Sequence, residues 1–386
     1  MAATTPLAWH NLLHNRVRSG VAIAGVTFAI VLMFMQLGFL EAVKLSAVLS
    51  CDALDFDLCL RSPDYHHYTD ARLFPVTRLH QAQGARGVAS ASPLMTAIFS
   101  WRNPENGEQR AVMAQGVEPY DPIFLTATQH HLPELATPQS LLVDTRSRRE
   151  FGPADGQRFG ERDQGRRVEI NGRSLRIAGH YSRGAGLCAG GAMLLSRREF
   201  LRSLPGMPTD LVSLGLIRLE QGQEPEEVAN RLRALLPSDV DVKTRAEVRA
   251  GELNFWVWET NYGLIFYSGV VVAFIVGTAI VYQVLVSDVS SLMPEYATLK
   301  AMGYGNGYIV NVMLQQSIWL ALISFALGVV IAQVLYAITS TGAGIPVQMT
   351  LPNLVLVLGA ALAMCISSGL GAVRKAFVAD PAELFH

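Results

Sequence analysis

The chain has 386 residues, 50% of them hydrophobic and only 16% charged, with a mean hydropathy of +0.27. Those proportions point to a membrane protein rather than a soluble domain. A formal net charge of −1 gives no reason to expect nucleic acid as a partner.

At the N-terminus, "PLAWHNLLHNRV" places Trp9, Leu12, Leu13 and Val17 near one helical face, so residues 1–18 are expected to form an amphipathic helix along the cytoplasmic surface. Ser19–Leu40 then carries no charge. A charged side chain at the centre of a membrane helix costs about 2.5–3.5 kcal/mol, so such a gap reads as a crossing, here residues 19–42. Its apolar core is long for a cleaved leader and no small-x-small site follows directly, so it is expected to remain as a span.

Residues 43–259 read as one large α+β domain. "LDFDLCL" alternates Leu54, Phe56, Leu58 and Leu60 against Asp55, Asp57 and Cys59, the pattern of a half-buried strand. "TAIFSWRNPENGEQRAVMAQGV" reads as a hairpin around Pro104–Gly107, and "RVEINGRSLRIAGHY" as a second with Asn171-Gly172 at its turn. "LVSLGLIRL" predicts a strand, "EPEEVANRLRALLP" an amphipathic helix with acids first and Arg231 and Arg233 late, and "DVDVKTR" a closing strand. Trp256, Trp258 and Tyr262 gather where amphipathic rings favour a membrane interface.

Thr260–Ser287 is again free of charge, and Ala301–Val373 holds no Asp, Glu, Lys or Arg over 73 residues. A crossing needs about 20 apolar residues, so the longer run holds two, with the polar Ser340–Pro352 as their turn. The expected architecture is an integral membrane α-helical protein with four transmembrane helices (19–42, 260–287, 310–338 and 353–373) and the α+β domain inserted between the first two. Residues 288–309 and 339–352 are the connecting loops, and 374–386 the tail. Arg16 and Arg18 before the first span, Lys300 in the 288–309 loop, and Arg374 and Lys375 after the last span put both termini and that loop in the cytoplasm. The α+β domain is then extracytoplasmic, where Cys51, Cys59 and Cys188 would lie; a Cys51–Cys59 bridge is one arrangement they allow.

No motif marks an enzyme. There is no G-x-x-x-x-G-K-[ST] phosphate loop, and "GYGNGY" and "GAGLCAGG" lack the strand–helix setting of a dinucleotide site. His66-His67 and His130-His131 have no metal-ligand spacing around them, and no G-x-S-x-G is present. Arg146, Arg148 and Arg149 read as a solvated basic face. Within the spans the polar exceptions are Gln283, Asn311, Gln315 and Gln316, suited to helix–helix hydrogen bonds, and Gly269, Ala273 and Gly277 form a small-xxx-small stripe. That stripe fits packing within one chain or between two copies.

In "SLMPEYATLKAMGYGNGY", Pro294 suits a first helical turn, Glu295 its positive end and Lys300 its negative end, with Gly303 and Gly305 as the stop. A short helix Pro294–Met302 is expected, offering Tyr296, Leu299 and Ala301 or Met302 as apolar contacts. Two exposed turns are marginal alone in water, so a docking partner would order them.

This stretch, with the polar-spotted "VNVMLQQSIWL" behind it, resembles the coupling loop and third span of FtsX/MacB-type ABC-transporter permeases. "RKAFVADPAELF" is similar to their ending, and "LAWHNLLHNRVRSGVAIAGVTFAIVLMFMQLGF" and "GELNFWVWETNYGLIF" resemble the DevC-like branch; Met293-Pro294 departs from the family in lacking the basic residue before the Glu. Such a resemblance implies a bacterial inner-membrane permease acting as a homodimer. A separate pair of cytoplasmic ABC ATPase subunits, binding the ATP and Mg2+ that this chain does not, would dock on Pro294, Glu295, Tyr296, Leu299, Lys300, Met302 and Gly303. It further implies mechanical transmission to the periplasmic domain, a periplasmic membrane-fusion adaptor, an outer-membrane channel and export of a lipid or other amphiphile. An FtsX-like transmembrane switch acting on a periplasmic partner and a lipoprotein-release permease share the same plan.

Overall fold

The computed structural model describes residues 16–125, 128–153, 157–184, 186–187, 189–343 and 346–378. The expected surface helix of residues 1–18 and the end of the tail therefore lie largely outside the described residues, as does Cys188. Two compact units make up the chain: Met1–Ala42 with Asn261–His386, and Val43–Thr260.

The first helix, α1 (Arg16–Asp52), has 37 residues, about 55 Å at 1.5 Å per residue. Its last turns, from Val43, belong to the second unit. That unit is built on strands β1 (Leu58–Arg61), β2 (Phe74–Pro75), β3 (Val88–Arg102), β4 (Gln109–Val117), β5 (Ser140–Asp144), β6 (Arg167–Ile170), β7 (Arg173–Tyr181), β8 (Ala192–Ser196), β9 (Leu211–Val212), β10 (Leu214–Leu219) and β11 (Asp241–Thr244). Its longer α-helices are α2 (Val76–Gln83), α3 (Arg197–Ser203), α4 (Pro225–Leu235) and α5 (Arg245–Asn254).

Nine strands form one sheet in the order β11-β1-β10-β3-β4-β8-β5-β7-β6. A further pairing of Trp101 with Ile170 and Arg102 with Glu169 joins β6 back to β3. The run from β3 to β6 thus closes on itself as a six-stranded barrel, which removes its free edges. Each strand sends alternate residues into one core: Phe99 and Trp101, Val112 and Ala114, Leu141 and Val143, Val168 and Ile170, Leu175 and Ile177, Met193 and Leu195. That period-two pattern is the signature of strands with one face inward. Trp101 is fully buried, with its indole N–H donating to the Phe151 carbonyl at 2.9 Å.

The other lobe is the four-stranded part β11-β1-β10-β3, all antiparallel. With α2 between β1 and β3, and α4 between β10 and β11, it is a split β-α-β arrangement, and the barrel is an insertion between its second and third strands. Leu79, Ala82, Val228, Ala229 and Leu232 on the two helices join the core on one side. A second core on the opposite side holds Cys59, Leu214 and Leu216 with Met113, Val117 and Leu194 from the outer wall of the barrel.

Local chemistry explains the turns. Asn171 and Gly172 both take left-handed backbone (φ 47° and 77°), as the two-residue hairpin turn of the I′ type requires. In the β3–β4 turn, Asn103 Oδ1 accepts the Glu105 N–H at 2.8 Å, an Asx turn. α5 opens with a capping box, in which the Thr244 hydroxyl accepts from the Glu247 N–H and the Glu247 carboxylate accepts from the Thr244 N–H. "LDFDLCL" is shorter as a strand than its alternation implies: β1 begins at Leu58, and Leu54 forms only an isolated bridge with Phe124. Cys51 and Cys59 are both buried and are not joined to each other.

The chain then continues into α6 (Tyr262–Ala301), α7 (Asn306–Ala343) and α8 (Leu351–Val378). Among the described residues, four stretches are long and apolar enough to cross a membrane: Ser19–Asp52, Tyr262–Ser291, Val310–Thr341 and Leu351–Arg374. The fold is therefore four candidate spans with a large α/β domain between the first and second. Of the most apolar window of each, 56% is buried in the first but only 17% in the second. Across the four spans the exposed surface includes many Leu, Ile and Val side chains, such as Leu264, Ile265, Val330 and Val355, the kind of surface that lipid chains solvate.

Candidate functional site

The bundle of α1, α6, α7 and α8 is held by close approach and a few hydrogen bonds. A Cβ on Gly277 would come within 2.3 Å of Met364 Sδ on α8 and 2.8 Å of Ala29 Cβ on α1, and one on Gly269 within 2.5 Å of the Gln36 side chain. Ala273, between them, is buried. The small-residue stripe thus lies close to α1 and α8 of its own chain. On the facing helix, a Cβ on Gly328 would meet Ile30 at 2.5 Å.

Hydroxyls tie the helices where backbone comes near. Thr27 donates to the Ser324 carbonyl and Ser324 to the Ile23 carbonyl, each at 3.4 Å, Tyr336 to the Phe34 carbonyl, and Ser368 to the Thr278 carbonyl at 2.9 Å. Of the polar residues marked in the spans, Gln316 alone is buried, while Gln283, Asn311 and Gln315 are exposed. Gln316 Nε2 donates to the Asp288 carboxylate at 3.5 Å, linking α7 to the end of the second span. Asp288 is not among the residues that the sequence singles out; its signal is a charge closing the Thr260–Ser287 gap, one helical stretch before Pro294.

The expected short helix Pro294–Met302 is not a separate element. α6 runs unbroken from Tyr262 to Ala301, 40 residues, and Pro294 lies inside it rather than at a first turn. Proline keeps a helical φ and removes one N–H. The Ser290 and Ser291 hydroxyls turn back to the Val286 and Asp288 carbonyls in the preceding turn, each at 2.8 Å, a pattern that often bends helices. The Met302 N–H still bonds the Thr298 carbonyl at 3.0 Å, and Gly303 then takes left-handed backbone (φ 94°) and ends the helix. α7 begins three residues later at Asn306.

The link is therefore a tight turn, Met302–Gly305, with every residue exposed and Met302 at 62%. The Tyr304 and Tyr308 rings lie 4.9 Å apart just beyond. Pro294, Glu295, Tyr296, Leu299 and Lys300 occupy the last turns of α6; their side chains lie outside the described residues. The arrangement presents an apolar and aromatic knob at the end of a helix long enough to cross a bilayer core twice over. No group of three or more His, Cys, Asp or Glu that could hold a metal ion occurs among the described residues.

A polytopic helical unit with an inserted α/β domain is the class that this geometry defines. Residues 267–381 match the family model described as FtsX-like permease C-terminal, a stretch that takes in most of α6 and all of α7 and α8. No curated protein matches the chain. Among solved structures, the extracellular domain of the noncanonic ABC-type transporter YknZ from Gram-positive bacteria aligns at 14% identity and TM-score 0.34, covering 49% of this chain and 99% of that one. The periplasmic region of MacB from Actinobacillus actinomycetemcomitans aligns at 10% identity and TM-score 0.35, covering 51% of this chain and 92% of that one.

Proposed function

We propose that this chain is the membrane subunit of an ABC-type transporter, converting the work of a separate ATPase into movement of its Val43–Thr260 domain. The observation that carries the reading is the continuity of α6. One helix holds the whole second span and the Pro294–Ala301 segment, and it ends in the exposed Met302–Gly305 turn inside the FtsX-like domain. A push on that end is delivered along one continuous helix, in which Pro294 is the position without a backbone N–H.

The finer reading comes from the sequence. Lys300, Arg374 and the arginines before the first span place the turn in the cytoplasm of a bacterial inner-membrane protein. The span-flanking motifs favour a homodimer, with a periplasmic adaptor and outer-membrane channel, exporting a lipid or other amphiphile. ATP and Mg2+ belong to the ATPase in this scheme, and the chain itself has no catalytic role.

Glu295→Arg and Leu299→Asp test the docking surface. In membranes holding the chain and its ATPase, both variants are expected to insert at wild-type levels yet lose ATPase stimulation and export about tenfold or more, the loss expected for an interface contact of at least about 1.4 kcal/mol. Unchanged export would refute the docking role.

A further inference from the structure

We propose that Glu252, Tyr68, Gln115 and Arg183 form a buried hydrogen-bonded relay that ties α5, the helix whose chain leads into the second span, to the barrel. They are positioning residues through which movement of α5 reaches the barrel wall. The proposal deepens the reading of this domain as the moving part, and it rests on that reading for its purpose.

The relay begins on α5. Glu252 is 1% exposed, and its carboxylate takes hydrogen bonds from the Tyr65 hydroxyl, the Tyr68 backbone and the Trp256 side chain. Tyr68, also buried, has its hydroxyl bonded by Gln115 Nε2. Gln115 is fully buried on the outer wall of the barrel, in step with Met113 and Val117 on β4. Its other end, Oε1, accepts from Arg183 Nη2. An amide is suited to that position because it donates at one end and accepts at the other.

Arg183 anchors the far end. It follows β7, is 4% exposed, and its guanidinium lies over the rings of Phe124 and Tyr181 at 5.3 and 5.6 Å. The Asp144 carboxylate accepts the backbone N–H groups of Arg183 and Gly184. The same loop then meets the outer end of α1: a Cβ on Gly186 would stand 2.4 Å from the Ser46 carbonyl oxygen. The relay thus spans from one helix that leads to the membrane to a loop seated on the other.

Two features distinguish this from ordinary core packing. The surroundings are apolar, with Leu54, Phe56, Ile123 and Val248 in the same cluster, so each polar group is costly unless bonded and the chain holds or fails as a unit. At the Arg183 end, Nε, Nη1 and the Tyr181 hydroxyl are buried with no hydrogen-bond partner among the described residues. Unmet buried donors destabilise the arrangement as it stands, and they supply bonds for a second arrangement when the relay shifts.

Amide hydrogen exchange of the full chain in lipid nanodiscs, without ATPase, tests the relay apart from the docking proposal. Gln115→Leu and Tyr68→Phe are expected to speed exchange in Arg245–Asn254 about fivefold or more relative to Pro225–Leu235, the effect of one lost buried hydrogen bond. Neither Gln115 nor the Tyr68 hydroxyl is on α5. Ser213→Ala removes a buried hydroxyl that bonds the Thr96 N–H at 3.1 Å but lies off the relay, and it leaves the α5 rate unchanged. An α5 rate equal to wild type in both relay variants, or a rise shared equally by Pro225–Leu235, overturns the proposal. If Gln115→Leu does not fold, Tyr68→Phe, which deletes one oxygen, decides in the same way.

Discussion

Glu252 shows what burial does to a single carboxyl in this domain. Loss of water disfavours its charge and raises its pKa; the hydrogen bonds from Tyr65, Tyr68 and Trp256 and the nearby Arg61 pull the other way, and burial wins. A carboxyl whose pKa is raised by folding binds its proton more tightly in the native state. Its contribution to stability is then complete below the ordinary value of 4.5 and is lost as pH rises through the folded value. Hydrogen exchange of α5, corrected for intrinsic rates, is expected to quicken across that window, and Glu252→Gln to flatten the dependence; a flat wild-type profile would contradict it. Glu247, in the first turn of the same helix, goes the opposite way. Burial opposes its charge, but the Thr244 N–H and Arg233 outweigh it and lower the pKa, so its stabilising part is present above the ordinary carboxyl range and fades in acid. At Cys59 burial outweighs the opposing pull of Arg61 and pushes the thiol up to about 12. It packs as a small apolar side chain rather than a reactive one.

The elements differ in how much of them can be read from the residues alone. The four spans are legible because charge is excluded over about 20 or more consecutive residues in each, and the Asn171-Gly172 hairpin because that turn needs residues that accept left-handed backbone. Closure of the barrel is not legible, since pairing Trp101 with Ile170 joins segments whose local patterns only say strand. The stripe Gly269–Gly277 can be seen but not its partner, because a small-residue face states only that something comes close. No pattern in the sequence sets Arg183 and Glu252 apart as buried, since nearly all Arg and Glu are exposed. The end of α6 departs from its expected form at Pro294: proline favours a first turn and costs about 3 kcal/mol inside a helix, yet α6 continues through it to Ala301. Gly277→Leu is the substitution that tests the packing. Placing atoms where Ala29 and Met364 already stand is expected to cost about 1–3 kcal/mol, seen as a lower melting temperature in detergent. A Cβ on Gly359 of α8 would meet nothing within 4 Å, and Gly359→Leu is expected to leave melting unchanged or raise it, since glycine in a helix costs up to about 1 kcal/mol. Equal melting of the two variants would mean that the stripe does not pack as described.

For the whole molecule, transmission depends on which residues face which side of the membrane. Glu150 lies between the first and second spans, and Gly305 between the second and third, so one crossing separates them. Both are exposed, and a cysteine at either is open to a membrane-impermeant maleimide. The native Cys51, Cys59 and Cys365 are buried; Cys188 is replaced by Ser in the background. In spheroplasts, Glu150→Cys is expected to label at once, and Gly305→Cys only after the membrane is permeabilised. The direction follows from where Lys300 and Arg374 sit, because basic residues in short loops resist translocation. Labelling of both from outside would leave α6 without a crossing, and a helix that does not cross cannot carry a cytoplasmic push outward. Labelling of Gly305→Cys outside and Glu150→Cys inside would keep the rod but reverse it, leaving the Met302–Gly305 turn on the side away from any ATP. The expected pattern is the one arrangement in which an ATPase can reach the end of α6 while the Val43–Thr260 domain meets a partner across the bilayer.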